Sequence, residues 1–243
     1  MFGGKDYYRI FDSLDDTDKI LGLFRQTALG DFGVTSSLYG VSHSFHLALE
    51  KGFSHAIESW TDYPDRYLET CARRGLLDHE YAARHIIEQR KPIIWTEVPA
   101  SSNATPAELA RWELDNEFGM AVGISLPLTF GPHHGSGIGL SMSGKSANEV
   151  RALWEERGQA LSRLCMSFDA AMRRVALPER FALTRREKDV LTFSVAGLSA
   201  QQIATHLGVT NRTIEGALSR ARSKMGCANT TEAVAKAIIF GLI

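Results

Sequence analysis

Four helix starts and three helix stops crowd into residues 183–243, and only a small bundle of short helices satisfies them all. Thr184 with Glu187 and Ser199 with Gln202 stand at the spacing at which a hydroxyl and a longer polar side chain cap each other's backbone N–H groups. Thr210, and Asn229 with Glu232, supply caps for two further helices. Gly197, Gly208 and Gly226 sit where helices should stop, because glycine tolerates the left-handed terminal conformation. Only Leu207-Gly208-Val209 separates the second helix from the third, which is the tight turn of a helix-turn-helix. Ile203, Ala204 and Leu207 face inward from the first of the pair, and Ile214, Leu218, Ala221 and Met225 from the second.

In a helix-turn-helix the second helix enters the DNA major groove with its early residues against base edges. The outward face of that helix carries Asn211, Arg212, Glu215, Ser219, Arg220, Arg222 and Lys224. Arg212, Arg220 and Lys224 suit phosphates, and the arginines also guanine; Glu215 can accept from cytosine and Asn211 can pair with adenine. Thr210, Thr213 and Gly216 complete the DNA-facing set, and Gly216 and Ala217 are small enough for the helix to sit close to the duplex. A merely solvated charged face is the bland alternative, but caps, turn and inward stripe agree with one another.

The net charge of −1 hides an asymmetry: residues 178–243 hold nine Lys/Arg and five Asp/Glu, a balance of +4, while residues 1–177 hold 18 and 23, a balance of −5. A basic segment beside an acidic partner suits phosphate contact. Cys71, Cys165 and Cys227 have no metal-site spacing and an odd count, so reduced cysteines and no cofactor are expected. The first residues lack a secretory pattern, and no apolar run approaches the roughly 18 residues of a membrane span, so the expectation is a cytoplasmic protein without membrane contact.

Before residue 177 the pattern is mixed. Residues 15–30, 64–74, 79–90 and 105–118 read as helices, the last started by Thr105-Pro106. Residues 33–41, 53–60, 120–130 and 137–143 read as strands. Residues 147–176 form one long helix with an apolar stripe through Val150, Leu161, Leu164, Phe168 and Met172, for core packing or for a homodimer. Pro178 ends that pattern. The domains are therefore 1–176 for ligand binding and dimerisation, 177–182 as linker and 183–243 for DNA binding, and the fold class is α+β with an antiparallel sheet followed by a four-helix helix-turn-helix domain.

The C-terminal segment resembles the LuxR family of quorum-sensing regulators. Leu183-Thr184-Arg185-Arg186-Glu187, Ala196-Gly197-Leu198-Ser199, Ile203-Ala204, Leu207-Gly208-Val209, Thr213-Ile214 and Lys224-Met225-Gly226 carry the likeness. Upstream, Tyr63-Pro64, Gly75, Pro92-Ile93-Ile94-Trp95, Gly119-Met120, Gly123, Ser125, Pro127-Leu128 and Leu140-Ser141 fall in the order of that family's autoinducer-binding domain. The resemblance implies an α-β-α sandwich that holds an N-acyl homoserine lactone between sheet and helices. It implies ligand contact by Tyr63, Tyr67, Glu80, Trp95, Ser125 and Ser141.

Three positions depart from that family. Tyr67 stands where it carries a lactone-binding Trp, Glu80 where it carries an amide-binding Asp (Asp78 if the helix shifts), and Cys71 where it carries a second Tyr. Hydroxyl and carboxylate survive with altered reach, so an atypical signal, or none, fits as well as a lactone. A buried Glu80 needs a donor, either a ligand amide or an arginine such as Arg66 or Arg84.

The competing readings are a ligand-independent regulator of the same build, and an enzyme or metal sensor using His43, His46, His133 and His134. His133-His134 lies between Gly131-Pro132 and Gly135, as an exposed hairpin loop would, and no nucleophile elbow or phosphate loop is present. The expectation is a regulator and not an enzyme, with a palindromic operator in double-stranded DNA and a small signal as its partners.

Overall fold

The computed structural model describes residues 7–100 and 103–243. The chain forms two compact units, one holding residues 7–14 and 18–169 and the other Ala170–Ile243 with Asp15–Thr17.

The first unit runs α1 (Thr17–Phe32), β1 (Ser36–Ser42), α2 (Phe45–Lys51), β2 (Ile57–Thr61), α3 (Asp65–Arg73), α4 (Tyr81–Gln89), β3 (Ile93–Ile94), α5 (Pro106–Glu117), β4 (Gly123–Phe130) and β5 (Gly135–Ser141). The long helix α6 (Ala147–Arg174) follows. All pairings are antiparallel, in the order β2-β1-β5-β4-β3.

Register sorts the side chains. The row Trp60, Tyr39, Ile138, Leu126 points to one face. There Tyr39 meets Phe168 edge-on at 5.2 Å, Phe168 stacks on Phe24 at 4.1 Å, and the Tyr39 hydroxyl donates to Asp169 at 2.6 Å. Helices α1 and α6 cover this face with their apolar stripes. The neighbouring row Thr61, Leu38, Gly139, Ser125, Ile93 points to the opposite face, with Gly40 beside Gly137 next to it. Over this second face Tyr67 and Cys71 of α3, Ile86 of α4, Leu114 of α5 and Trp95 form one apolar cluster. Two helical layers thus sandwich the sheet. The capping box expected at Thr105 is made in both directions with Glu108, and Pro106 follows it at the first helical position.

Some elements differ from the sequence reading. Residues 45–51 form a helix, capped by Ser44, where no element is expected. The strand expected from residue 53 begins at Ile57, because Gly52 takes a positive φ of 104° and Phe53–His55 closes a 3-10 turn. Ile93–Ile94 is a strand too short for alternation to reveal. Pro178 does not interrupt α6, which stops at Arg174; it sits in the first turn of α7 (Ala176–Phe181), where its missing N–H costs no bond. The segment expected as a linker is thus largely helical, with Leu177 and Phe181 buried.

The second unit continues with α8 (Arg185–Val195), α9 (Ala200–Leu207), α10 (Asn211–Met225) and α11 (Thr230–Ile239). The four helix starts are capped by Thr184, Ser199, Thr210 and Asn229 as expected. Gly197, Gly208 and Gly226 all take positive φ. Val190, Ile203, Ala204, Ile214 and Ala217 build its core.

Candidate functional site

Between the second face of the sheet and helices α3, α4 and α5 lies a cavity of about 410 Å3. Its floor is almost bare of large side chains. Leu38, Gly40, Ser42, Ser125, Gly135, Gly137 and Gly139 reach it, and the last three alternate along β5. Gly137 leaves room for its roof: a Cβ there would stand 2.3 Å from Cδ1 of Ile86 and displace the tip of that side chain. Phe45, Phe53, Ile87 and Phe130 make the apolar part of the wall. Such a shape, mostly apolar with a few polar groups, is that of a small-molecule site.

Among its polar groups are Tyr63, Glu80, Trp95, Arg111 and Ser125. Trp95 Nε1 donates to Ser125 Oγ at 2.9 Å. Tyr63 is 8% exposed, and its hydroxyl has no hydrogen-bond partner among the described residues. Burial pushes its pKa well above the ordinary phenol range, and the carboxylates of Glu80 and Asp115 push it further, so it stays a neutral donor. Glu80 lies 3.2 Å from a terminal nitrogen of Arg111. Burial, only partly offset by Arg111, pushes its pKa up to about 7.

Arg111 organises the cluster. Its Nε donates to the Tyr67 hydroxyl at 2.8 Å and to Asp115 at 3.1 Å, and its Nη1 donates to the carbonyl of Leu76 at 3.0 Å. The Tyr67 hydroxyl itself donates to Asp115. The arginine expected beside Glu80 is therefore Arg111, not Arg66 or Arg84. Arg84 pairs with Glu108 at 2.7 Å, and Arg66 lies over the ring of Phe118. No pattern near residue 111 pointed to this role, although Arg111 and Asp115 stand one helical turn apart, the spacing of an ion pair.

Of the six ligand residues expected, Tyr63, Glu80, Trp95 and Ser125 line the cavity, and so does Asp78, the alternative to Glu80. Asp78 spends its carboxylate on Ser54, accepting from its N–H at 2.8 Å and its hydroxyl at 3.1 Å. Tyr67 and Ser141 do not line it. The Tyr67 hydroxyl is committed to Arg111 and Asp115, and Ser141 is fully buried beside Ser143, opposite Gly123 in the sheet. Cys71 is buried, and its thiol is pushed up by that burial.

In the second unit α10 presents Arg212, Thr213, Glu215, Ser219 and Arg220 as exposed residues, with Asn211 and Gly216 half-buried. Asn211 donates to Glu215 at 2.9 Å. Thr210 accepts from the backbone of Thr213 as the helix cap. Two expectations change. Ala217 is fully buried in the core of this unit, so of the two small residues only Gly216 lies on the outer side. Lys224 donates at 2.8 Å to both Glu187 and the carbonyl of Ala182, so its ammonium serves the fold. Glu187 is 2% exposed; burial would raise its pKa, but the bonds from Lys224 and Thr184 hold it below the ordinary range.

His133 and His134 lie in the β4–β5 loop, and no cluster of three metal-binding side chains occurs among the described residues. No helix among the described residues is long and apolar enough to cross a membrane.

Comparison with known proteins agrees with this geometry. Residues 23–174 match the autoinducer binding domain, and residues 182–237 match the family of bacterial regulatory proteins, luxR family. The HTH-type quorum sensing-dependent transcriptional regulator RpaR of Rhodopseudomonas palustris is 32% identical over 164 residues, which span 66% of this chain and 64% of that protein. The transcriptional activator protein SolR of Ralstonia nicotianae is 25% identical over 248 residues, covering 99% of each. Among solved structures, Escherichia coli SdiA superposes with a TM-score of 0.59 at 18% identity, covering 96% of this chain and 94% of that one, a likeness of fold. An autoinducer binding domain followed by a helix-turn-helix places the chain in the family of LuxR-type quorum-sensing transcriptional regulators.

Proposed function

We propose that the protein binds one small amphiphilic signal in the sheet–helix cavity and, as a homodimer in the cytoplasm, reads a palindromic operator with α10. The observation that carries the signal reading is the cavity of about 410 Å3 with Tyr63, Glu80, Trp95 and Ser125 on its wall. Signals of this size fall within the usual range of ligand pockets. An N-acyl homoserine lactone, or an atypical relative, supplies carbonyl oxygens for the hydroxyl donors and an amide N–H for Glu80. Tyr67 supports that end through Arg111, and Ser141 supports the adjoining strand.

On DNA, Arg212, Ser219 and Arg220 are assigned to phosphates or base edges, and Thr210, Asn211, Thr213 and Glu215 to the first turn in the groove. Gly216 lets the helix approach, and Lys224 steadies it through Glu187. Residues 1–176 form the signal-binding part, and residues 183–243 the DNA-binding part.

A second reading, a ligand-independent regulator, is favoured by one observation: Arg111 meets Glu80 from within the protein, so the polar cluster does not need a ligand to be paired. Mass spectrometry of small molecules extracted from the protein purified from its native host separates the two. A stoichiometric amphiphile supports the signal reading, and an empty protein that still binds its operator supports the second.

A further inference from the structure

A buried arginine on the wall of a ligand cavity ordinarily marks a receptor for a carboxylate or phosphate, because the guanidinium is permanently charged and matches those groups in shape. Arg111 is such an arginine: its side chain is 5% exposed and it reaches the cavity. Its surroundings cancel that role. Two carboxylates already contact the one guanidinium, Asp115 at 3.1 Å through Nε and Glu80 at 3.2 Å through Nη2. Asp115 is 13% exposed and does not reach the cavity, whereas Glu80, at 23%, does. With two carboxylates against one guanidinium, the cluster presents no free positive charge to the cavity.

The donors of Arg111 are not exhausted, however. Nη1 donates once, to the carbonyl of Leu76, and Nη2 stands in an ion-pair contact with Glu80 at 3.2 Å. A guanidinium carries two N–H groups on each terminal nitrogen, so one on each remains without a partner among the described residues. Tyr67 and Asp115, neither of which lines the cavity, hold Nε and fix the plane of the group.

We propose that Arg111 selects the head of the signal, offering a spare N–H to an uncharged oxygen such as an amide or ester carbonyl, while Glu80 and Asp115 mask its charge and exclude a free carboxylate. Tyr67 and Asp115 are its positioning residues. This deepens the signal reading above and rests on it. Glu80 is raised by its burial first and by Asp115 in addition, in spite of Arg111, so a further anion beside it is disfavoured. A ligand carboxylate would be a third.

The test uses two probes of equal length, octanamide and octanoate, titrated into the full-length protein by calorimetry. Octanamide offers a carbonyl to Arg111 and an N–H to Glu80; octanoate offers only negative charge. The wild type should prefer octanamide by about tenfold or more. Asp115→Asn and Glu80→Gln each remove one masking charge, and each should shrink that preference by about tenfold through tighter binding of octanoate. A variant that merely loosened the pocket would weaken both probes and leave the ratio unchanged. Arg111→Met should weaken octanamide about tenfold without creating any affinity for octanoate. Octanoate bound as tightly as octanamide by the wild type would overturn the proposal even if no variant folds, and so would a ratio unchanged in both masking variants. If neither probe binds and no amphiphile is extracted from the native protein, the signal reading itself fails. If an amphiphile is extracted but the charge preference is absent, only the assignment of Arg111 fails.

Discussion

The ammonium of Lys224, near the end of α10, lies 2.8 Å from the carboxylate of Glu187, in the first turn of α8. That carboxylate is almost completely buried and also accepts from the backbone of Thr184 at 2.8 Å. A lysine that looks like a phosphate contact is therefore first a counter-ion. Lys224→Met should lower the stability of the second unit by about 1–3 kcal/mol, since it leaves a buried charge with fewer partners. Arg220, 3.5 Å from the same carboxylate, limits the loss. Thermal melts of the variant check this, and an unchanged melt would return Lys224 to a purely DNA-facing role.

Arg212 is the contrasting case. It is exposed on the first turn of α10, with no hydrogen bond or ion pair to the protein among the described residues. Arg212→Ala should leave the melting temperature unchanged. It should weaken operator binding and, if the contact is to phosphate, flatten the slope of log K against log salt by about one unit. Binding isotherms at several salt concentrations read both quantities, and wild-type affinity with a wild-type slope removes Arg212 from the interface.

Gly216 separates bulk from charge. A Cβ built there meets only Nη1 of Arg220 at 3.4 Å, an ordinary contact. Gly216→Ala should therefore fold, gain about 0.5–1 kcal/mol of helix stability from the propensity difference, and bind DNA nearly as before. Gly216→Glu should lose binding about tenfold or more, because it brings a negative side chain towards phosphates. Equal affinity of the two variants would mean that this part of α10 stays away from the duplex.

The helix-turn-helix could be read in advance because its signals are local: each cap and its partner lie three residues apart, and each stop is a glycine. The sheet could be read in outline, since Tyr39, Val41, Ile138 and Leu140 alternate with small residues. The head of the cavity could not. Arg111 meets Glu80 and Tyr67 across 31 and 44 residues of chain, and only the fold brings three such distant segments together. Tyr67 shows the limit of matching positions. Its hydroxyl is a competent donor, but an arginine and an aspartate on α5 claim it before any ligand can.

Glu80 also makes stability depend on pH with a sign opposite to that of an ordinary paired carboxylate. Its ordinary pKa is 4.5, and in the folded protein burial, with Asp115 adding to it, moves this to about 7 in spite of Arg111. Asp115 is raised as well, again by burial first. Between these limits the folded chain binds more protons than the unfolded one, so stability falls as pH rises from about 4.5 to about 7 and levels off above. Tyr63 and Tyr67, the other titratable groups beside Glu80, stay neutral throughout this window, since burial raises both. Glu108 is a lowered carboxylate and acts in the opposite direction at lower pH, through its bond to Arg84. Replacing Glu80 alone isolates its share. Glu80→Gln should flatten the decline between pH 5 and 7 by an amount on the order of 2 kcal/mol. At pH 8 the variant should be at least as stable as the wild type, because Arg111 keeps Asp115 as its counter-ion. Denaturant unfolding at pH 5, 6, 7 and 8 measures both effects. A variant that follows the wild-type profile would show Glu80 to be ionised across the whole range, held there by Arg111 more strongly than its burial opposes.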